Sequence, residues 1–288
     1  MTKKILIAGK NSYVGKQLAE WLNKEPEKYE VVKESVRNDQ WKDIDFSSFD
    51  VVVHVAGIAH QHTKADQEDL YYKVNTDLTI NIATKAKVEG VKQFIFMSSM
   101  IVYGASSKIG EVKVITRETI PEPINFYGNS KLLAEKGILP LQSDNFDVVV
   151  IRPPMIYGKG SKGNYPLLSK FAKISPVFPD VENQRSMLHI DNLSEFIRLM
   201  IDNEEKGIYF PQNKEYIKTS EMVRVIAENT GKKIKLVKLF NSILTNLGKN
   251  SIIINKVFGS FIYDLELSEY KEKYRIRDLN ESIKITED

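Results

Sequence analysis

The sequence predicts an α/β protein: a doubly wound parallel sheet with a smaller, mostly C-terminal α/β subdomain. Three observations predict it. Short, mostly apolar runs at residues 5–8, 51–56, 94–97 and 146–151 alternate with helical patterns, as repeated strand–helix units do. The first run leads through a glycine turn straight into an amphipathic helix. The 288 residues are too many for one small module and suit one large domain or two interlocked ones.

Composition narrows the function classes. Hydrophobic residues make up 42% and charged residues 27%, the balance of a globular chain with a full core. Lys and Arg number 41 against 38 Asp and Glu, a formal net charge of +3, and the basic residues read as scattered, with no nucleic-acid stripe. There is no cysteine, which excludes a disulfide scaffold, a thiolate nucleophile and a Cys-based metal site, and fits a reducing cytosol. Of the four histidines, His54, His60 and His62 fall near one another, but His54 sits inside a strand pattern, so hydrogen-bonded or exposed histidines are expected and no metal. The N-terminal apolar run is too short for a signal-peptide core, and no stretch approaches the roughly 18 apolar residues of a membrane span. A cytoplasmic protein is expected.

Taken in order, residues 5–8 form a first strand, followed by Gly9-Lys10-Asn11-Ser12-Tyr13-Val14-Gly15 and a helix with Val14, Leu18, Trp21 and Leu22 on one face. Pro26 marks its end. Gly9 permits a tight turn, Gly15 permits close helix–strand packing, and the helix N-terminus offers free N–H groups to a pyrophosphate. The motif lacks its middle glycine, where Ser12 stands; a hydroxyl there can donate to a phosphate oxygen. The alternative is a purely structural turn. A P-loop is excluded, because no glycine precedes Gly9-Lys10 or Gly15-Lys16 at the required spacing. A second strand through Val31-Val32 ends near Ser35-Val36-Arg37. An acidic residue at that end would bind the ribose 2′-OH of NAD, but Glu34 falls one residue early, and Arg37 is placed to face the 2′-phosphate of NADP. The connection to the next strand, residues 51–56, is short for a nucleotide-binding half, and Gly57 follows that strand's carboxyl end.

A helix with Leu70, Val74, Leu78 and Ile82 comes next and carries Asn75; strand 94–97 then ends in Ser98-Ser99. After Pro121 and Pro123, a helix ending near Gly137 holds Tyr127 and Lys131 one turn apart on one face. A lysine ammonium beside a tyrosine favours the phenolate and makes a proton-transfer group; the alternative is an ordinary amphipathic helix. Strand 146–151 ends at Arg152-Pro153-Pro154. The Gly- and Lys-rich loop 158–165 reads by itself as a solvated turn, and Arg185 as a surface ion-pair residue. Leu193, Phe196, Ile197 and Met200 line a further helix, and 208–210 a short strand. Thr219-Ser220 offers an N-cap for a helix through Asn229, closed by Gly231. Residues 251–258 raise an interfacial amphipathic segment, with a packed helix expected instead, and the C-terminal stretch carries no motif.

In this order the motifs Gly9…Gly15, His54-Val55-Ala56-Gly57, Tyr72-Lys73-Val74-Asn75, Ser98-Ser99…Val102-Tyr103-Gly104, Tyr127-Gly128-Asn129-Ser130-Lys131, Arg152-Pro153-Pro154…Tyr157-Gly158 and Arg185-Ser186-Met187-Leu188-His189-Ile190-Asp191-Asn192 resemble the extended short-chain dehydrogenase/reductases, the NAD-dependent epimerase/dehydratase family. The resemblance implies a Rossmann domain (1–158 with 186–210) and a nucleotide-sugar-binding subdomain (159–185 with 211–288). It implies one NAD or NADP per chain, held by Gly9, Asn11, Ser12, Tyr13, Val14, Gly15, Arg37, Ala56, Gly57, Lys131 and Pro153. It makes Tyr127 the acid/base, Lys131 the ribose-holding residue that depresses the tyrosine pKa, Ser99 the hydrogen-bond partner of the reacting sugar oxygen, and Asn75 a support for the lysine's surroundings. Asn164 and Arg185 would contact the diphosphate of a UDP-linked sugar, with Ser99 as a further substrate contact. A homodimer is consistent with it.

Three activities follow from the resemblance. A UDP-hexose or UDP-N-acetylhexosamine 4-epimerase would work through a 4-keto intermediate. A reductase would act on a UDP-4-keto-6-deoxy-hexose or hexosamine in surface polysaccharide synthesis. A non-catalytic NAD(P)-binding regulator is the third, disfavoured by the intact Ser, Tyr and Lys set. A 4,6-dehydratase is not expected: Met100 and Ile101 stand where that branch carries Asp and Glu.

Overall fold

A computed structural model describes residues 2–59 and 67–288, so His60 and His62 lie outside the described residues. The chain runs β1 (Lys3–Ala8), α1 (Tyr13–Leu22), β2 (Tyr29–Glu34), β3 (Val51–His54), α2 (Glu68–Tyr71), α3 (Leu78–Val88), β4 (Gln93–Met97), β5 (Val112–Ile115), α4 (Phe126–Ile138), β6 (Asp147–Ile151), β7 (Met155–Tyr157) and α5 (Asn164–Ile174). It continues with β8 (Val177–Pro179), β9 (Met187–His189), α6 (Ile190–Asp202), β10 (Gly207–Tyr209), α7 (Thr219–Asn229), β11 (Lys235–Val237), α8 (Asn241–Gly248), α9 (Ile252–Phe258), β12 (Ser260–Tyr263) and α10 (Leu279–Glu287).

The fold is Rossmann-like. Six strands form one parallel sheet in the order β2-β1-β3-β4-β6-β10. Strands β3 and β4 are buried throughout and mostly apolar, because helices cover both faces of such a sheet. The chain direction of winding reverses between β1 and β3, and the crevice at that point is where ligands of such sheets bind. The connection between β2 and β3 is only two 3₁₀ turns, Asp39–Asp43 and Phe46–Ser48, anchored by buried Trp41 and Phe46.

Two boundaries differ from the sequence reading. β2 stops at Glu34, level with Ala8 of β1, rather than near Arg37. Between α2 and α3 the chain makes a π-helical turn, Tyr72–Asp77. The wider turn rotates the buried face away from Leu70, which is 48% exposed, and onto Tyr71, Asn75 and Thr79.

The chain divides into two compact units. The first holds the residues up to Gly104, Pro121–Pro153 and Leu193–Pro211 and contains the six-stranded sheet. The second holds Ala105–Ile120, Pro154–Asn192 and Gln212–Asp288. Residues 105–120, 154–158 and 186–192 thus sit in the second unit rather than with the sheet. β5 explains the first of these segments, since it pairs in parallel with β12, Val112 level with Ser260. β7 pairs with β9 and explains the other two.

The second unit packs α5, α7 and α10 around Tyr157, Leu168, Met222, Ile226 and Ile283. The motif-free C-terminus closes this core: Asp278 and Glu281 form a capping box on α10, and Tyr157 Oη shares a 2.7 Å hydrogen bond with Ser282. Residues 251–258 do form a helix, α9, but not a fully packed one, for Ile252 and Ile253 are 72% and 78% exposed.

Candidate active site

The β1–α1 turn is built as its glycines require. Gly9 has φ +133°, and a Cβ there would lie 2.9 Å from Ala56 N, so only glycine lets the turn meet the end of β3. Its N–H and that of Lys10 donate to Glu34 O, both at 2.9 Å, binding turn and β2 end together. Ser12 Oγ accepts from Gly15 N at 3.4 Å and caps α1. The serine thus serves the helix itself, while its own O–H stays a donor. Asn11 lies in the turn, and Tyr13 and Val14 open α1. Arg37 is exposed on the surface beyond β2. The acidic residue at the strand end is Glu34, and the sequence missed it through a misplaced strand boundary.

The helix α4 is capped by Asn125, whose Oδ1 accepts from Gly128 N at 2.8 Å, and this sets the phase of the helix. Tyr127 is half-buried and hydrogen-bonded to Ser99; Tyr71 stands edge-on at 6.0 Å between ring centroids. Burial raises the phenol pKa to about 12, against the lowering by Ser99. Lys131 lies one turn further along the same helix. Its Nζ donates to Met97 O at 2.9 Å and sits 4.6 Å from the Phe96 ring centroid. Burial lowers its pKa to about 8, with Glu135 pulling the other way. The expectation that the ammonium depresses the phenol pKa is therefore corrected: desolvation dominates, and the phenol keeps its proton at neutral pH.

Gly57 brings the β3 end to this lysine. A Cβ on Gly57 would meet Asn75 Oδ1 at 3.0 Å and Lys131 Nζ at 3.2 Å. Asn75, in the π turn, accepts from Ile58 N at 2.8 Å and donates to Ile58 O at 3.1 Å and Ser130 Oγ at 3.0 Å. It thereby ties the loop after β3 to α4, next to the lysine.

Ser98 and Ser99 are sorted by their surroundings. Ser98 is buried and bonded to Glu135, whose carboxylate also takes Arg152 Nε at 3.1 Å. Arg152 Nη1 donates to Tyr103 Oη at 2.6 Å. Ser99 Oγ instead accepts from Ile101 N at 3.3 Å and reaches Tyr127. The Ser98–Glu135–Arg152–Tyr103 network was not foreseen; the spacing of Lys131 and Glu135, again one helical turn, was the available signal. Pro153 O accepts from Met100 N at 2.9 Å and fixes the strand end beside Ser99.

In the second unit, Asn164 opens α5 and Arg185 lies between two chain segments, with backbone bridges to Ile217 and Phe261. Both line a shallow recess with Met155, Leu168, Met187 and Thr219. Arg185 is 8% exposed and donates to Gly259 O at 3.0 Å. Desolvation lowers its pKa to about 10, and no carboxylate among the described residues holds it, so it is not a surface ion-pair residue. A buried guanidinium facing carbonyls keeps donors for an anion.

The histidines play another part. His54 is buried between Phe94 and Phe96, and its Nε2 shares a 3.0 Å hydrogen bond with Thr79. Among the described residues no His, Asp and Glu group is arranged to hold a metal.

The donor set of the first unit fits a dinucleotide: a turn that only glycine can make at a helix N-terminus, an acid at the end of β2, and a buried ammonium with one carbonyl partner and two further N–H donors. Comparison with known proteins agrees with that fit. Residues 5–210 match the model of the NAD dependent epimerase/dehydratase family. The UDP-glucose 4-epimerase of Vibrio cholerae is 32% identical over 252 residues, covering 79% of this chain and 76% of that protein. The N-acetyl-alpha-D-glucosaminyl-diphospho-ditrans,octacis-undecaprenol 4-epimerase of Escherichia coli O157:H7 is 29% identical over 260 residues, 83% of this chain and 76% of that protein. Among solved structures, UDP-glucuronic acid 4-epimerase from Bacillus cereus in complex with NAD superposes with a TM-score of 0.70 at 18% identity, over 98% of this chain and 96% of that one. The chain belongs to the NAD dependent epimerase/dehydratase family.

Proposed function

We propose that the chain is an NAD-dependent 4-epimerase of a UDP-hexose or UDP-N-acetylhexosamine, working through a 4-keto sugar. The observation that carries this reading is the Tyr127–Ser99 hydrogen bond, with Ser98 withdrawn into the Glu135 and Arg152 network. With the positively charged nicotinamide bound beside it favouring the phenolate, Tyr127 Oη would take the proton of the sugar hydroxyl and later return it, and Ser99 Oγ would hold the same oxygen. The bound nicotinamide supplies hydride acceptance and donation at the sugar carbon. Gly9, Asn11, Ser12, Tyr13, Val14 and Gly15 would cradle its pyrophosphate at α1. Ala56, Gly57 and Pro153 would border the nicotinamide end, where Lys131 donates to the ribose and Asn75 fixes the loop. Glu34 at the end of β2 favours NAD through the ribose 2′-OH, which leaves Arg37 as the residue an NADP-binding alternative would need. Arg185 and Asn164 would take the diphosphate of the substrate. Met100 and Ile101 supply no carboxylate for eliminating water, which speaks against dehydration.

Both relatives named above are 4-epimerases, which ranks epimerisation over 4-keto reduction. The name of the Escherichia coli relative favours a second reading of the carrier, a lipid diphosphate in place of UDP. The test incubates purified protein with UDP-sugars and lipid-linked sugars, with and without NADPH. Interconversion without net cofactor use is expected; stoichiometric NADPH oxidation on a 4-keto sugar would make the enzyme a reductase instead.

A further inference from the structure

Between Gly231 and Gly259 the second unit carries six lysines, Lys232, Lys233, Lys235, Lys238, Lys249 and Lys256, and no Asp or Glu. All six are exposed. The stretch is thus basic without compensating acid, in a chain of net charge +3. Asp180, whose N–H donates to Val237 O, and Glu182 are already held: Lys218 Nζ lies 2.8 Å from Asp180 and 2.5 Å from Glu182.

The same stretch exposes large apolar side chains. Leu239, in the turn before α8, is 81% exposed, and on α8 Ile243 and Leu247 are 58% and 54% exposed, one helical turn apart on one face. On α9, Ile252 and Ile253 are 72% and 78% exposed. Asn255 Nδ2 donates to Gly248 O at 2.7 Å and fastens the two helices to each other. Single exposed apolar residues are ordinary on a protein surface; four on two fastened helices and a fifth, Leu239, in the turn before them, in a stretch whose charged side chains are all lysines, are not.

We propose that residues 232–258 dock the protein on an anionic lipid bilayer, the isoleucines and leucines entering the headgroup–acyl boundary and the lysines meeting lipid phosphates. Charge decides among the occupants. A second copy in a two-fold interface would press lysines against lysines. A nucleic acid would engage the lysines and leave the apolar stripe in water. An anionic bilayer matches both. α9 also carries Lys256 and Val257 into the wall of the recess that holds Arg185 and Asn164, so docking brings that recess beside the headgroups. The docking does not depend on the epimerase reading.

The test sediments the full-length protein with phosphatidylglycerol-containing vesicles and with pure phosphatidylcholine vesicles. Binding to the anionic vesicles, weakened by salt, is expected. The variant I243S/L247S/I252S/I253S should keep its circular dichroism spectrum and its turnover of a soluble UDP-sugar while its vesicle partition falls about tenfold or more. Replacing Lys232, Lys233 and Lys235 by Gln should weaken binding to anionic vesicles about tenfold or more. Absence of pelleting, unchanged pelleting of either variant, or a dimer that the serine variant breaks without any vesicle binding would overturn the proposal; the last result would assign the face to a second copy.

Discussion

Tyr127 and Lys131 share a helix face yet answer to different neighbours. Burial holds the Tyr127 phenol at about 12, where it is an acid with its proton in place, and burial brings Lys131 down to about 8, close to losing its own. Under the proposed reaction, a phenol of this kind is ready to protonate a sugar oxygen, and needs Ser99 to stabilise it when the proton runs the other way. Tyr127→Phe should therefore lower turnover by about a hundredfold or more while leaving dinucleotide affinity unchanged, measured by steady-state assay and by fluorescence titration. A variant that keeps its turnover would remove Tyr127 from the role. Arg185→Met should act differently, raising KM for the diphosphate sugar about tenfold or more with little change in dinucleotide binding, because one charge-assisted donor pair is lost.

At the scale of elements, two devices hold the site in shape. The π turn at Tyr72–Asp77 turns Asn75 inward, and its amide spans the loop after β3 and Ser130 of α4. The second device joins β4, α4 and the end of β6 through Ser98, Glu135 and Arg152. The side chains of Arg152 and Glu135 are 7% and 1% exposed, so breaking the pair leaves a charge in the interior. Glu135→Gln should cost about 3–5 kcal/mol in urea unfolding, and adding Arg152→Met should recover part of that loss, since the double variant buries no unpaired charge. Equal destabilisation by both variants would mean that the network matters through packing alone. Neither device is legible in the sequence. Hydrophobic periodicity assumes a regular helical repeat, so of Leu70, Val74, Leu78 and Ile82 the last two keep the predicted core face while the π turn leaves Leu70 outside it.

At the scale of the molecule, both units bury a histidine in its neutral form. Burial lowers His54 to about 3 and His189 to about 4 from an ordinary value of 6.5. Below pH 6.5 the unfolded chain takes up protons that the folded chain refuses, so stability is retained above that pH and lost as pH falls toward 4. Each histidine contributes a slope of about 1.4 kcal/mol per pH unit in that window. Urea midpoints should fall between pH 7 and pH 5, and His54→Gln should flatten that dependence; an unchanged slope would show that His54 is protonated in the folded state.

The sequence by itself determined the parallel sheet and the family. Strands buried on both faces are written as continuous apolar runs, and a tight turn into a helix N-terminus is written as Gly9 and Gly15. It also brought out Tyr127, Lys131, Ser99 and Asn75, because motif spacing along one chain is local information. Tertiary structure decided the rest. It ended β2 at Glu34, paired β5 with the distant β12, buried Arg185 with no carboxylate partner among the described residues and left α8 and α9 with an apolar face outward. The physical reason is common to all of these: desolvation and strand pairing depend on which segments come together across the chain, and no local pattern of residues records that.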